Sequence, residues 1–196
     1  MNTEIEAKFY GVNHDDIRAI LTGLGAICEK PMRTMRRYTF DNPAMKAKGG
    51  WIRVRDEGDK VTTAYKQIDK LSLDGMKEIE LEVSDFDNMV DIYRALELEG
   101  GSYQESKRET WKLGDVEIVL DEWPWLQPLI EVEGPSELRV AEVAEQLGFD
   151  MNSAMHGDIT VVYKIQYPFL GDSFCTGDLP FVRFNDPIPE QLKEPV

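Results

Sequence analysis

The strongest constraint on how this chain folds is a pattern that repeats along it. Short segments alternate aliphatic residues with charged residues of mostly one sign. Glu4-Ile5-Glu6-Ala7-Lys8 is the first of them. Successive side chains of a strand point to opposite faces, so Glu4, Glu6 and Lys8 share one face and Ile5, Ala7 and Phe9 the other. The same plan returns in Arg53 and Arg55 against Ile52 and Val54, and in Lys66 beside Thr62 and Ala64. It returns again in Glu78, Glu80 and Glu82 against Ile79, Leu81 and Val83, and in Glu131 and Glu133 against Ile130 and Val132. Between these lies a hairpin whose Gly114-Asp115 pair suits a two-residue type II′ turn. That turn sets Lys112 opposite Glu117, Thr110 opposite Val119 and Arg108 opposite Asp121. One hairpin face then carries Arg108, Lys112, Glu117 and Asp121, and the other Trp111, Leu113, Val116, Ile118 and Leu120.

Ordinary solvated faces would mix signs within a strand, and here most strands carry one. The helical segments decide which face turns outward. Ile17, Ile20, Leu21 and Leu24 repeat at helical spacing after the cap-like Asn13-His14-Asp15-Asp16, and Gly25 stops them. Met89, Ile92, Tyr93 and Leu96 mark a second helix behind a capping-box pattern at residues 84–87, ended by Gly100-Gly101. Val140, Val143, Ala144 and Leu147 mark a third, between Ser136 and Gly148, and a short fourth is expected over residues 158–167. Each helix needs an apolar surface, and only the aliphatic strand faces offer one. The helices therefore cover the outside, and the charged faces turn onto a common inner surface. If the sheet closes, that interior is a polar tunnel, the reverse of a filled barrel. A strand over residues 26–41 should lie at an edge or bulge because of Pro31. The first half of the chain (charged strand, helix, glycine, basic strand) is weakly echoed in the second. Residues 1–167 are expected to form one domain. Residues 168–196, rich in Pro and Gly, are expected to be a tail extended or docked on it, or loose.

Composition narrows the chemistry. A net charge of −15 argues against a nucleic-acid or anionic-membrane partner. No apolar run approaches the length of a membrane helix and no signal-peptide pattern is present, so a cytoplasmic protein is expected. Cys28 and Cys175 stand far apart, and two histidines leave no His-rich zinc site. Any metal would be held by carboxylates, which favours Mg²⁺, Mn²⁺ or Ca²⁺. Charges facing inward are costly unless paired or liganded. Converging Arg and Lys suit phosphate oxygens, and carboxylates among them make sense by holding a divalent cation between themselves and the ligand.

Glu4-x-Glu6-x-Lys8 resembles the ExExK signature of the CYTH family, the triphosphate tunnel metalloenzymes. Arg53-x-Arg55, Lys66, Glu78-x-Glu80-x-Glu82, Val119-Leu120-Asp121-Glu122 and Glu131-x-Glu133 extend the resemblance to about Tyr167. It implies an α+β fold: a closed antiparallel eight-stranded β tunnel with a charged interior and helices outside. It also implies a small-molecule triphosphate bound with Mg²⁺ or Mn²⁺, in a monomer or homodimer. Carried over, Glu4, Glu6, Asp121, Glu131 and Glu133 are metal ligands or orient metal-bound water, and Glu80 is the residue of its strand expected to join them. Lys8, Arg53, Arg55, Lys66 and Arg108 hold the phosphates and, with Glu4 and Glu6, form the catalytic set. In Ser106-Lys107-Arg108 a serine stands where the family usually has lysine, and Lys107 should face outward. Alternation alone does not say which of Arg33, Arg36 and Arg37 faces inward. Trp123-Pro124-Trp125 reads as a structural corner near the tunnel rim. Three activities are consistent with these residues. The first is hydrolysis of inorganic, thiamine or nucleoside triphosphate. The second is a class IV-like adenylyl cyclase reaction giving cyclic AMP and pyrophosphate. The third is non-catalytic polyphosphate binding.

Overall fold

The computed structural model describes residues 1–194, with the backbone alone described at residues 99 and 100. Its strands are β1 (Asn2–Glu4), β2 (Glu6–Tyr10), β3 (Ile27–Asp41), β4 (Gly50–Asp56), β5 (Val61–Ile68), β6 (Met76–Val83), β7 (Glu99–Leu113), β8 (Val116–Glu122), β9 (Leu129–Glu133) and β10 (Phe181–Val182). They form one sheet in the order β1-β6-β5-β4-β3-β7-β8-β9-β2, with β10 added beside β7. The count is ten, not eight, for two reasons. The N-terminal segment is broken at Ile5, where the Glu6 N–H donates to Leu73 O and the Gly134 N–H donates to Ile5 O. Its first half pairs with β6 and its second with β9, which is how the ring closes. The tenth strand, β10, comes from the C-terminal segment and pairs in parallel with Tyr103 and Gln104.

The other pairings of the ring are antiparallel, and the hairpin register is the one the Gly114-Asp115 turn requires: Leu113 opposite Val116, Lys112 opposite Glu117, Arg108 opposite Asp121. Gly114 has φ +62 while Asp115 stays out of the left-handed region, as a type II′ turn demands. The two fifteen-residue strands β3 and β7, each following a helix, pair with one another.

Helices α1 (His14–Gly23), α2 (Pro43–Lys46), α3 (Phe86–Ala95), α4 (Glu137–Gln146) and α5 (Ile159–Gln166) lie outside the sheet. Asn13, Asn42, Asp85, Ser136 and Asp158 cap them, each accepting a backbone N–H near the helix start. The α3 cap is Asp85, not Ser84, and its buried face is rotated from the expected one. Phe86 and Val90 are buried with Phe40 and Val54, whereas Ile92 and Leu96 are exposed. The helix also ends at Ala95, ahead of Gly100-Gly101, which belong to β7. Helices α1 and α4 bury Ile17, Leu21, Val140, Val143 and Ala144 against Ala7, Phe9, Ile118, Leu120, Ile130 and Val132. Burying such side chains stabilises the fold by roughly 1.5–3 kcal/mol each. Most aliphatic strand faces are spent on this outer packing, although Ile79 and Leu81 of β6 stay exposed, and the charged faces line the interior.

Beyond α5 the chain docks on the sheet. Leu179, Val182 and Leu192 are buried in a cluster with Trp123, Leu129 and Tyr163. Trp125 holds a left-handed φ of +62. Its carbonyl accepts the Tyr167 hydroxyl at 2.6 Å and its indole N–H donates to Asp186 O at 3.0 Å, so the corner is tied to the C-terminal segment. No helix among the described residues is long and apolar enough to cross a membrane.

Candidate functional site

Register turns the alternation into rings of charge. Glu6, Glu133 and Glu117 lie side by side across β2, β9 and β8, and Lys8 is next to Glu131. Arg33, Arg108 and Asp121 form a row across β3, β7 and β8. Arg37 faces Arg55 across β3 and β4, and Lys66 faces Glu78 across β5 and β6. Asp121 apart, these residues line a cavity of about 750 Å³ that every strand of the ring contributes to.

The basic wall is centred on arginines. Arg53 Nη2 lies 2.7 Å from Glu80 and 3.2 Å from Glu78. Arg55 Nη2 lies 2.6 Å from Glu57, which also meets Arg33 at 3.3 Å. The Nε atoms of Arg33, Arg53 and Arg55 are buried without a hydrogen-bond partner. Arg37 donates from Nε to Gln104 Oε1 at 2.8 Å, and its guanidinium lies 4.2 Å from the Trp123 ring centroid. Burial, then repulsion from Arg53 and Arg55, pulls Arg37 down to about 9, and burial with Arg53 pulls Arg55 down to about 10. Both remain cationic at neutral pH, and of the two only Arg55 has a carboxylate partner, Glu57.

The opposite wall carries the lysines and carboxylates. Lys66 Nζ binds both Glu4 oxygens at 2.9 and 2.8 Å. Lys8 pairs with Glu6 and lies 3.5 Å from Glu131. Burial disfavours the Lys8 charge, but Glu131 and Glu6 outweigh it and hold the ammonium well above the usual lysine range. Arg108 clasps Asp121 at 2.7 and 2.5 Å and reaches Glu131 at 2.8 Å. Glu131 is held down to about 2: burial would raise it, and the Lys8 and Arg108 charges overcome that. Glu133 behaves oppositely. Burial and then the charges of Glu4, Glu6 and Glu117 push it up to about 7. Its side chain is open to water, among the neighbouring carboxylates.

These donors bear on a divalent metal. No group of three or more His, Cys, Asp or Glu among the described residues is already arranged around a common metal position. Still, Glu133 faces Glu6 and Glu117 across the sheet and makes no ion pair among the described residues, and such crowded oxygens fit a hard divalent cation. Glu4, Glu6, Glu131 and Glu133 stand on that side. Glu80, also expected among the metal residues, lies across the cavity with its carboxylate on Arg53 and the Thr62 hydroxyl. Asp121 is likewise committed to Arg108 and almost fully buried.

The structure thus brings Glu4, Glu6, Lys8, Arg53, Arg55, Lys66, Glu80, Arg108, Glu131 and Glu133 to one cavity, with Asp121 behind Arg108. Arg33 and Arg37 line it, whereas Arg36 turns out to Asp56 and the Phe86 ring. Lys107 also faces outward, to Glu122 and Phe184. Residues that sequence reasoning did not assign to the site include Glu57, Glu78, Glu117, Gln104 and Asp158, together with Ser173, Phe174, Cys175 and Thr176 of the C-terminal segment. Glu78 and Glu117 had a signal, since they share the parity of Glu80 and Asp121. Glu57 had none, because it follows the end of β4 in what reads as a turn.

Comparison with known proteins agrees with this architecture. The CYTH domain family model matches residues 2–159. No curated protein sequence matches the chain. Among solved structures, the PH1012 protein of Pyrococcus horikoshii OT3 is 23% identical with a TM-score of 0.67, over 81% of this chain and 99% of that one. A putative adenylate cyclase from Vibrio parahaemolyticus is 14% identical with a TM-score of 0.71, over 82% and 97%. A putative adenylyl cyclase from Hippeastrum, described as having a dominant triphosphatase activity, is 16% identical with a TM-score of 0.56, over 86% and 98%. At these identities the likeness is one of fold. With the family match over most of its length and the charged tunnel in place, the chain belongs to the CYTH family.

Proposed function

We propose that the protein is a divalent-metal-dependent hydrolase of triphosphorylated substrates: inorganic triphosphate, thiamine triphosphate or a nucleoside triphosphate. The observation that carries this reading is the basic wall. Arg33, Arg37, Arg53, Arg55 and Arg108 converge on one cavity of a chain with net charge −15, and three of their Nε atoms are buried without partners. Anionic oxygens would complete the contacts these arginines leave open, and guanidinium groups match phosphoryl oxygens in charge and geometry. Long-range attraction into so acidic a protein is weak, so the local wall must capture the anion.

Mg²⁺ or Mn²⁺ held by Glu4, Glu6, Glu131 and Glu133 would supply charge neutralisation and activation of water. The chain's own groups do the rest. Lys8, Lys66 and the arginines orient the triphosphate so that water can attack the terminal phosphorus in line. As the bridging P–O bond breaks, the same cations stabilise the charge on the departing diphosphate. The Hippeastrum protein, described as a putative adenylyl cyclase with a dominant triphosphatase activity, is consistent with this reading.

The test is to incubate the protein with Mg²⁺ or Mn²⁺ and tripolyphosphate, ATP or thiamine triphosphate, following orthophosphate. Release that EDTA abolishes is expected. No orthophosphate from any of the three, or cyclic AMP with pyrophosphate from ATP in its place, overturns the hydrolase reading.

A further inference from the structure

The tunnel wall does not end where the family match does. That match stops at residue 159, yet Ser173, Phe174, Cys175 and Thr176 line the cavity beside Thr160 and Gln104. This stretch is fixed. The Thr176 N–H donates to Thr160 Oγ1 at 3.2 Å, and the two hydroxyls lie 2.9 Å apart. Next along the chain, the Tyr103 N–H donates to Pro180 O, and Val182 of β10 pairs with Gln104.

Gln104 is buried where these elements meet. Its amide NH₂ donates to Ser102 Oγ at 2.9 Å and to Thr176 O at 3.4 Å, while its Oε1 accepts from Arg37 Nε at 2.8 Å. The carbonyl of Thr176 cannot donate, so the Gln104 NH₂ must point to it and the amide oxygen to Arg37. Gln104 thereby takes Arg37 Nε, Trp123 covers one face of the guanidinium, and the Nη edge remains for the cavity. No carboxylate of the described residues lies within 4 Å of Arg37. Arg53, Arg55 and Arg108 repel its charge, and Asp158 attracts it. A buried cation among cations weakens an empty protein and is useful once an anion arrives.

We propose that Arg37 is a phosphoryl-oxygen ligand of the tunnel, and that Gln104, fixed through the Thr176 carbonyl of the C-terminal segment, is the positioning residue that aims it. This rests on the triphosphate reading above. It adds that docking of the C-terminal segment and anion binding are coupled, because the segment sets the orientation of one of the ligands.

The test is a titration with inorganic tripolyphosphate, in Mg²⁺ and in EDTA, alongside thermal melts of the unliganded proteins. Arg37→Gln should weaken binding roughly tenfold or more, as loss of a charge-assisted contact does, and should raise the melting temperature of the empty protein. A merely structural arginine would lower that temperature and leave affinity alone. Gln104→Leu should weaken binding about threefold or more in the wild-type background and have no further effect when Arg37 is already Gln. Arg36→Gln, on the outer face, should bind like wild type. Affinity of Arg37→Gln within twofold of wild type, or an equal Gln104→Leu loss in both backgrounds, overturns the proposal while leaving the triphosphate reading intact. No binding by wild type in either condition overturns both.

Discussion

Glu57 offers the sharpest test of how the tunnel is held together without a ligand. Its carboxylate is buried, with Oε1 2.6 Å from Arg55 Nη2 and Oε2 3.3 Å from Arg33 Nη2. Lys30 and Lys60 lie at 3.7 and 4.0 Å. Glu57→Gln keeps the shape and removes the charge that balances them. Two charge-assisted contacts contribute on the order of 1.5 kcal/mol each. The sum, about 3 kcal/mol, sits at the low end for breaking a buried ion pair, as expected when Lys30 and Lys60 can turn toward water. For a domain of this length that is a fall of roughly 6–12 °C in Tm. Burial would raise the Glu57 pKa, but Arg55, Lys60, Lys30 and Arg33 outweigh it and hold it below the ordinary glutamate value. A depressed carboxylate stabilises the fold above its unfolded pKa, about 4.3, and that contribution is lost as pH falls through the folded value. The gap between wild type and Glu57→Gln in urea melts should therefore be full at pH 7 and close in acid. Tripolyphosphate should also restore more stability to the variant than to wild type, because its oxygens replace the missing charge. A variant within about 1 kcal/mol of wild type at pH 7, or a gap unchanged between pH 7 and pH 3, would refute this account of the basic wall.

Other perturbations separate the remaining parts. Asp121→Ala leaves Arg108 with Glu131 alone, and should cost about 3 kcal/mol in urea unfolding at pH 7. Lys66→Ala should lower kcat/KM for tripolyphosphate roughly 100-fold, measured by orthophosphate release, because it removes a cation from the cavity and frees Glu4. Glu133→Gln relieves a crowd of carboxylates. The metal-free protein should melt about 1–3 °C higher, and the rise in Tm on adding Mg²⁺ should shrink, both read by thermal shift. Outside the tunnel, buried Glu109 is held by Arg18 and Trp111, which overcome the effect of burial and keep its pKa below the usual value. Its contribution is present above about pH 4.3 and lost on acidification, so Glu109→Gln should flatten the acid limb of the stability curve.

What the sequence could and could not say divides along one physical line. Alternation is local, so a strand's charged face can be read from the strand itself. The Gly114-Asp115 turn also fixes its own register, which is why Arg108 opposite Asp121 is legible in the sequence. Arg33, Arg36 and Arg37 were not resolved because the inward parity of β3 depends on pairing with β4 across a long connection and with β7 across bulges. Parity groups Arg33 with Arg37 and separates Arg36, but only register says which set faces in. The C-terminal segment shows the other limit. Its Pro- and Gly-rich composition has no period to read, and its place is set by contacts far away in sequence, such as Thr176 to Thr160 and Val182 beside Gln104. The same division explains the metal side. Like-signed carboxylates announce a shared face, yet whether each remains free for a cation depends on which arginine the closed sheet brings to it. Arg53 meets Glu80, Arg108 meets Asp121 and Glu131, and Lys66 meets Glu4, while Glu133 faces only the carboxylates of Glu6 and Glu117 across the sheet.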